Sequence, residues 1–415
     1  MTIMTATFRQ YITEGQKNNG HLTHVEDTIL YRGVQGVKDA IDSLEGVIDM
    51  MSGDANKPYD VNIKFDGAPA VFCGIDPDDG QFFVAKKSLF NKVPKVYKTP
   101  EDVKADTSGD LQSKMLAALE YFKNLNIKGV LHGDFLFTKS DLKVKTIDGV
   151  KMVTFQPNTI VYAVPVDSDL GKEIMQAEVG VVWHTTYSGN SLDSLEPGPT
   201  ADISQLSKTP KVWMQQAHLR DLSGNILLTS ADAKVLKRKV NEARKILKQI
   251  GKSTIDVLLK NPKFAGQLET FNNTRVRQGE FIKDPKKHVE KLLDWFDERF
   301  RKDIDSKKSE RGKTSARARR DTIMEFFSEE NKKNLIKIYE LQKSIVEAKL
   351  MIMKHLDNVS KISTLVRTRD GFEYVGHEGF VVYDHKNAGS MLKLVDRLEF
   401  SHNNFSNDIL HGWEH

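Results

Sequence analysis

The period of the hydrophobic pattern changes twice along this chain, which rules out an all-α or all-β fold. Short β-rich runs bounded by turn residues lie at 60–64, 70–75, 81–85, 129–136, 150–155, 160–166 and 178–186, and such runs predict strands. Pro77-Asp-Asp-Gly80 between two of them predicts a hairpin turn. From about 231 to 356 the apolar residues instead recur every three or four positions. The segments 231–250, 285–301 and 314–356 have long charged faces, which predicts helices. Strand character returns at 363–367, 379–383 and 390–394. Two further helices are expected, over 34–51 and 111–125. Gly189, Pro197, Gly198, Pro199 and Pro210 mark 190–214 as a connector.

The economical architecture is α+β, with residues 1–195 and 363–415 forming one unit split by an all-α insertion at 196–362. A chain of 415 residues is long enough for two domains. No apolar run approaches the roughly 20 residues that cross a bilayer, so no membrane partner is expected. The start, Met1-Thr-Ile-Met-Thr-Ala-Thr-Phe-Arg-Gln, lacks the basic and apolar regions of a secretory signal. Cys73 is the single cysteine, which excludes an intramolecular disulfide and any multi-cysteine metal site, and points to a reducing cytoplasm. The net charge of +4 says little about partners until its distribution is considered.

Residues 60–68 read Asp-Val-Asn-Ile-Lys-Phe-Asp-Gly-Ala. Lys64 thus ends a strand and runs into Asp66-Gly67, held on a rigid element beside a tight turn. A lysine amine titrates near about 10.4 and becomes a nucleophile when burial or neighbouring cations lower that value. Lys-x-Asp-Gly alone also fits an exposed lysine before a β-turn. Further segments follow in order: Phe82-Phe-Val-Ala-Lys86-Lys87-Ser, His132-Gly133-Asp134-Phe-Leu-Phe137, Ile160-Val-Tyr162-Ala-Val-Pro-Val, Glu378-Gly379-Phe-Val-Val and Met391-Leu-Lys393-Leu-Val. Lys-x-Asp-Gly resembles motif I of the covalent nucleotidyltransferases, the superfamily of DNA ligases, RNA ligases and mRNA capping enzymes. The series resembles in turn that family's second strand, which usually carries an arginine or lysine, and its motifs III, IIIa, IV and V. Asp396-Arg-Leu-Glu-Phe-Ser is reminiscent of its viral members. The matched motifs lie in 60–166 and 378–395, and leave the helical middle uncovered.

The resemblance implies a ligase-type nucleotidyltransferase fold, with ATP-grasp-like antiparallel sheets and flanking helices, acting in the cytoplasm (of an infected host if phage-encoded). It implies that Lys64 attacks the α-phosphate of ATP, expels pyrophosphate and carries AMP as a phosphoramidate. Asp134 and Glu378 would hold Mg²⁺ (or Mn²⁺), with Asp134 alternatively on the ribose hydroxyl. Lys86, Lys87 and Lys393 would stabilise phosphate charge, and Tyr162 would stack on the purine. Gly67 would allow close backbone approach and Asp66 would anchor the turn beside the nucleotide. Other readings of the same residues stay open: Tyr162 as core packing, Lys86 and Lys87 as a solvated hairpin edge, Glu378 as a turn residue. The expected acceptor is a nucleic acid, RNA ahead of DNA, joined from a 5′-phosphate to a 3′-OH. A cap, protein or small-molecule acceptor, or a non-catalytic nucleic-acid-binding role, are the alternatives.

Two departures stand out. The fifth motif typically carries two lysines one residue apart, and here Lys393 stands without the second, leaving Lys386 or Arg397 as substitutes. The chain also has no room after it for an OB-fold, and RNA ligases often use helical accessory domains instead. The densest basic run, 299–320, includes Arg311, Lys313, Arg317, Arg319 and Arg320, which we read as a polyanion surface. Lys234, Lys237, Arg238, Lys245 and Lys248 read as a solvated helix face. His21-x-x-His24 lacks metal-ligand partners and reads as packing or helix capping.

Overall fold

A computed structural model describes residues 23–53, 59–198, 201–217, 228–250, 252–358, 360–384 and 390–412. Helix α1 (Thr28–Met51) leads into β1 (Tyr59–Lys64), β2 (Ala70–Ile75), β3 (Phe82–Ala85), α2 (Pro100–Asp106) and α3 (Gly109–Phe122). Then come β4 (Val130–Thr138), β5 (Lys143–Ile147), β6 (Val150–Phe155), β7 (Val161–Pro165), α4 (Asp169–Gln176), β8 (Val179–Ser188), β9 (Glu196–Pro197) and β10 (Val212–Gln216). The helical stretch comprises α5 (Ser230–Leu247), α6 (Lys252–Lys260), α7 (Pro262–Arg277), α8 (Pro285–Asp305), α9 (Glu310–Glu325) and α10 (Glu329–Asp357). After it follow β11 (Ser363–Arg367), β12 (Phe372–Tyr374), β13 (Gly379–Asp384), β14 (Ser390–Leu394) and α11 (Arg397–Phe405). The fold is mixed α+β.

The strands form three sheets, of order β1-β13-β14, β10-β8-β4-β2-β3 (with β9 on β8) and β12-β11-β7-β6-β5. The expected hairpin is present. Asp76 accepts a hydrogen bond from the Asp78 N–H at 2.9 Å, and Gly80 takes the left-handed backbone (φ +73°) that closes the turn between β2 and β3. Helix α3 covers one face of the central sheet, with Met115, Ala118 and Phe122 packed against Leu131, Phe135 and Trp183.

Three expectations about elements are corrected. The single helix expected over 314–356 is two, because Ser328 turns extended and its hydroxyl accepts from the Asn331 N–H at 3.3 Å, capping α10 anew. The connector expected at 190–214 contains a strand: β10 pairs in parallel with β8, so the first sheet runs past the boundary placed at 195. The helical segment is also not walled off. Helices α5, α6 and α10 pack on α1, and one continuous core joins Val37, Leu44 and Val47 of α1 to Leu268, Leu292 and Ile345 and to Val61, Phe380 and Leu392 of the small sheet.

Candidate functional site

In the small sheet, Asn62 pairs with Val381 and Lys64 with Gly379, while Val381 pairs with Lys393 across β14. Side chains alternate between faces, so Lys64, Asn62, Val381 and Lys393 share one face. The other face carries Val61, Ile63, Phe380, Val382, Leu392 and Leu394, all buried in the core. Core burial therefore fixes the register, and the register turns both lysines to the same side, away from the apolar core.

Lys64 Nζ is hydrogen-bonded to Glu378 Oε1, a partner 314 residues away in sequence. The lysine side chain is 38% exposed and the glutamate 9%. Burial, with Asp66 and Asp134 adding negative charge, pushes the Glu378 carboxyl up to about 7, although Lys64 pulls the other way. Next to Glu378, the His377 N–H and ring Nδ1 both lie on Asp357 Oδ1, at 3.1 and 3.0 Å, at the end of α10. Glu399 of α11 accepts from the Gly376 N–H at 3.2 Å. The helical stretch thus holds the turn that presents Glu378.

Asp134 on β4 reaches the site because Gly67 gives way to it: a Cβ on Gly67 would sit 2.4 Å from the Asp134 Cβ. The expected close approach at Gly67 is therefore to Asp134. His184 Nε2 of β8 lies 3.7 Å from Asp134 Oδ2, and His184 meets the His132 ring edge-on at 4.1 Å. His132 stacks on Phe72 at 4.0 Å. Exposed Lys87 is near enough to help lower the His132 pKa, behind burial and His184. Lys393 is half-buried and held below the ordinary lysine range by burial, by Lys64 and by Arg397.

Other expected site residues lie elsewhere. Tyr162 is 1% exposed and packs between Phe65 and Phe155, with ring centroids at 5.6 and 5.4 Å. Its hydroxyl accepts the Asp66 N–H at 2.6 Å. The purine-stacking role is corrected to core packing, because β7 turns this position inward. Asp66 does anchor its turn, but with its whole carboxylate: it accepts from Asn158 Nδ2 at 2.7 Å and from the N–H groups of Thr159 and Ile160 at 2.7 and 2.8 Å. Both carboxylate oxygens are thus engaged in holding the scaffold. Lys86 turns away to Asp106 at 3.2 Å and to the Tyr97 ring, leaving Lys87 as the member of the pair on the His132 side. Arg397 is buried in ion pairs of its own, Asp27 Oδ2 lying at 2.9 Å, and Lys386 falls outside the described residues.

On α9 the expected polyanion surface is largely paired within the protein. Lys313 meets Glu310 at 3.3 Å, Arg317 meets Glu310 at 4.0 Å, Arg319 meets Asp303 at 2.9 Å and Arg320 meets Asp297 at 3.0 Å. Arg311 is exposed. Among the described residues, no three His, Cys, Asp or Glu side chains converge to hold a metal ion, and no helix is long and apolar enough to cross a membrane.

Sequence reasoning passed over His132 and His184. His132 was findable, because it lies two residues before Asp134 on one strand and so shares its face. His184 carries no such local signal. His24 was read as packing or capping, yet its side chain caps nothing.

A family model described as "Family of unknown function (DUF6267)" matches residues 19–408. No curated protein and no solved structure matches the chain.

Proposed function

This chain belongs to the family of unknown function DUF6267, and we propose that it is a covalent nucleotidyltransferase of the polynucleotide ligase type, with Lys64 as its nucleophile. The observation that carries this reading is convergence. Lys64, Asp134, Glu378 and Lys393 come from three strands and a turn spread over most of the chain, and they are four of the residues that the ordered motifs single out. They interact electrostatically around one lysine. We read the small sheet and the central sheet, meeting at Gly67 and Asp134, as a ligase-type core.

In the resting pair Glu378 places Lys64. With its carboxyl near 7, Glu378 grips the ammonium with only part of its charge at neutral pH, so the nucleophile is parked and can be released. Released from Glu378, the Lys64 ammonium gives up a proton to solvent. The neutral amine then forms a bond to the α-phosphorus of ATP while the bond to the pyrophosphate oxygen breaks, and loss of the second amine proton leaves lysyl-AMP. Lys393 lies where it offsets phosphate charge. Bound Mg²⁺ supplies charge neutralisation on the triphosphate. Asp134 and Glu378 would hold it, since this ion takes one or two carboxylates together with phosphate oxygens and water. AMP then passes to a 5′-phosphate, and a 3′-OH displaces it; we favour RNA as the acceptor because the sequence resemblance leans toward RNA ligases, which often use helical accessory domains.

Incubation with α-labelled ATP and Mg²⁺ is expected to give an acid-labile, alkali-stable labelled protein. Lys64→Ala is expected to abolish the label, and Glu378→Gln to lower its rate on the order of 100-fold. Unlabelled wild-type protein would overturn the reading. Transfer of AMP to 5′-phosphorylated RNA and DNA, compared side by side, then identifies the acceptor.

A further inference from the structure

Beyond β14 the small sheet gains one more segment. His24 forms an isolated parallel bridge with Lys393, and the Lys393 N–H donates to the Thr23 carbonyl at 3.3 Å. Bridge partners project from the same side of a sheet. The His24 imidazole therefore stands on the face that carries Lys393 and Lys64, opposite the apolar face. Its Nδ1 is buried with no hydrogen-bond partner. The Lys393 ammonium beside it, half-buried, has no side-chain hydrogen bond or ion pair among the described residues.

The other cations around His24 already have partners. Arg397 Nη1 lies 2.9 Å from Asp27 Oδ2, and Lys349 Nζ lies 2.8 and 2.9 Å from the two Glu26 oxygens. A buried polar atom without a partner is destabilising, and the half-buried Lys393 ammonium has no counter-ion among the described residues that an anion would need to displace. An unpartnered imidazole nitrogen beside an unpartnered ammonium, on the face that carries Lys64, therefore calls for an anion with several acceptor oxygens.

We propose that His24 is a phosphate-binding residue of this site, holding with Lys393 the polyphosphate chain of the nucleoside triphosphate. This deepens the nucleotidyltransferase reading and rests on it for the identity of the nucleotide. The role suits an imidazole. Burial, and then the charges of Arg397, Lys393 and Lys349, hold His24 well below the usual histidine range. It can thus donate an N–H to a phosphate oxygen without adding another positive charge beside Lys393. A contact from residue 24 also supplies what the single lysine of β14 lacks, from a stretch of chain that no local motif would indicate.

Titration calorimetry of the full chain with inorganic tripolyphosphate tests this without any catalytic step. His24→Ala is expected to weaken binding about tenfold, the loss of one hydrogen bond to a charged group, and His24→Gln to retain part of it. Melting temperatures within about 2 °C of wild type would separate binding from folding, and His24→Gln carries the test if His24→Ala does not fold. In the adduct assay, KM for ATP is expected to rise more than kcat falls. Wild-type tripolyphosphate affinity in both variants would overturn the inference, as would a loss confined to a 5′-phosphorylated oligonucleotide. His24-dependent tripolyphosphate binding by a wild-type protein that forms no lysyl adduct would support the anion site and overturn the transfer reading.

Discussion

Asp66 and Tyr162 divide between them work that the motif pattern gave to the nucleotide. The carboxylate ties β1 to the loop before β7 through three hydrogen bonds, and the phenol satisfies the Asp66 N–H. Tyr162→Phe is therefore expected to cost about 1–2 kcal/mol of stability, the penalty of an unsatisfied buried donor, and to leave nucleotide affinity unaltered. Urea unfolding and equilibrium ATP binding check the two halves. Glu378 makes a second prediction. It titrates near 4.5 when exposed and at about 7 in the fold, so between these values the folded protein holds a proton that the unfolded chain has released. The associated stability is complete below pH 4.5 and is lost as pH rises through 7. Glu378→Gln should exceed wild type by roughly 1–3 kcal/mol at pH 8 and converge with it near pH 4.5, measured by urea unfolding at both values. At this scale the sequence was legible where a strand has a clear buried face, as in β1 around Lys64 and β14 around Lys393. Tyr162 was ambiguous because β7 is buried on both faces, and alternation then carries no information.

The elements were read best where one face meets water. In β1 polar and apolar residues alternate, and the strand ending at Lys64 was read from that run. Strand β10 was hidden by the prolines around it, since its place comes from pairing with β8 and not from local signals. Helices α6 and α7 lay within the stretch read as helical but were not delimited, because Pro262 separates two short periodic segments, although it merely opens α7 behind the Asn261 cap. On α9, the ion pairs that Arg319 and Arg320 make with α8 are exposed. Such exposed pairs contribute little, so Arg319→Ala with Arg320→Ala is expected to leave the urea unfolding midpoint close to that of wild type. A clearly lower midpoint would show that α9 is pinned by these pairs more firmly than their exposure allows. Their phosphate-binding capacity is likewise reduced, because Asp297 and Asp303 must first be displaced.

At the scale of the molecule, a buried ionic knot joins the helical stretch to the site. Glu26 and Lys349 are fully buried partners, Asp27 meets Arg397, and Gln342 of α10 donates to Asp27 Oδ1 at 3.0 Å. Lys349→Met leaves Glu26 buried without its closest cation and is expected to cost about 3–5 kcal/mol. Adding Glu26→Gln should recover much of that loss, and a double-mutant cycle by urea unfolding measures the coupling. A cycle with no coupling would contradict the pairing. The expected separation into a split unit and an insertion missed this, because the change of hydrophobic period marks where helices begin and not which core they enter. Helix α1, expected with the sheets, shares its apolar face with α5, α6 and α10.

The pairing of β1 with β13 has a further consequence during synthesis. Lys64 leaves the ribosome more than 300 residues ahead of Glu378, so through most of translation β1 waits without its neighbour and the site does not exist. Contacts so distant in sequence slow folding and leave strand edges open to wrong partners. The arrangement around Lys64 therefore forms only when the last strands emerge, and the β1 edge that β13 will cover stays open until then.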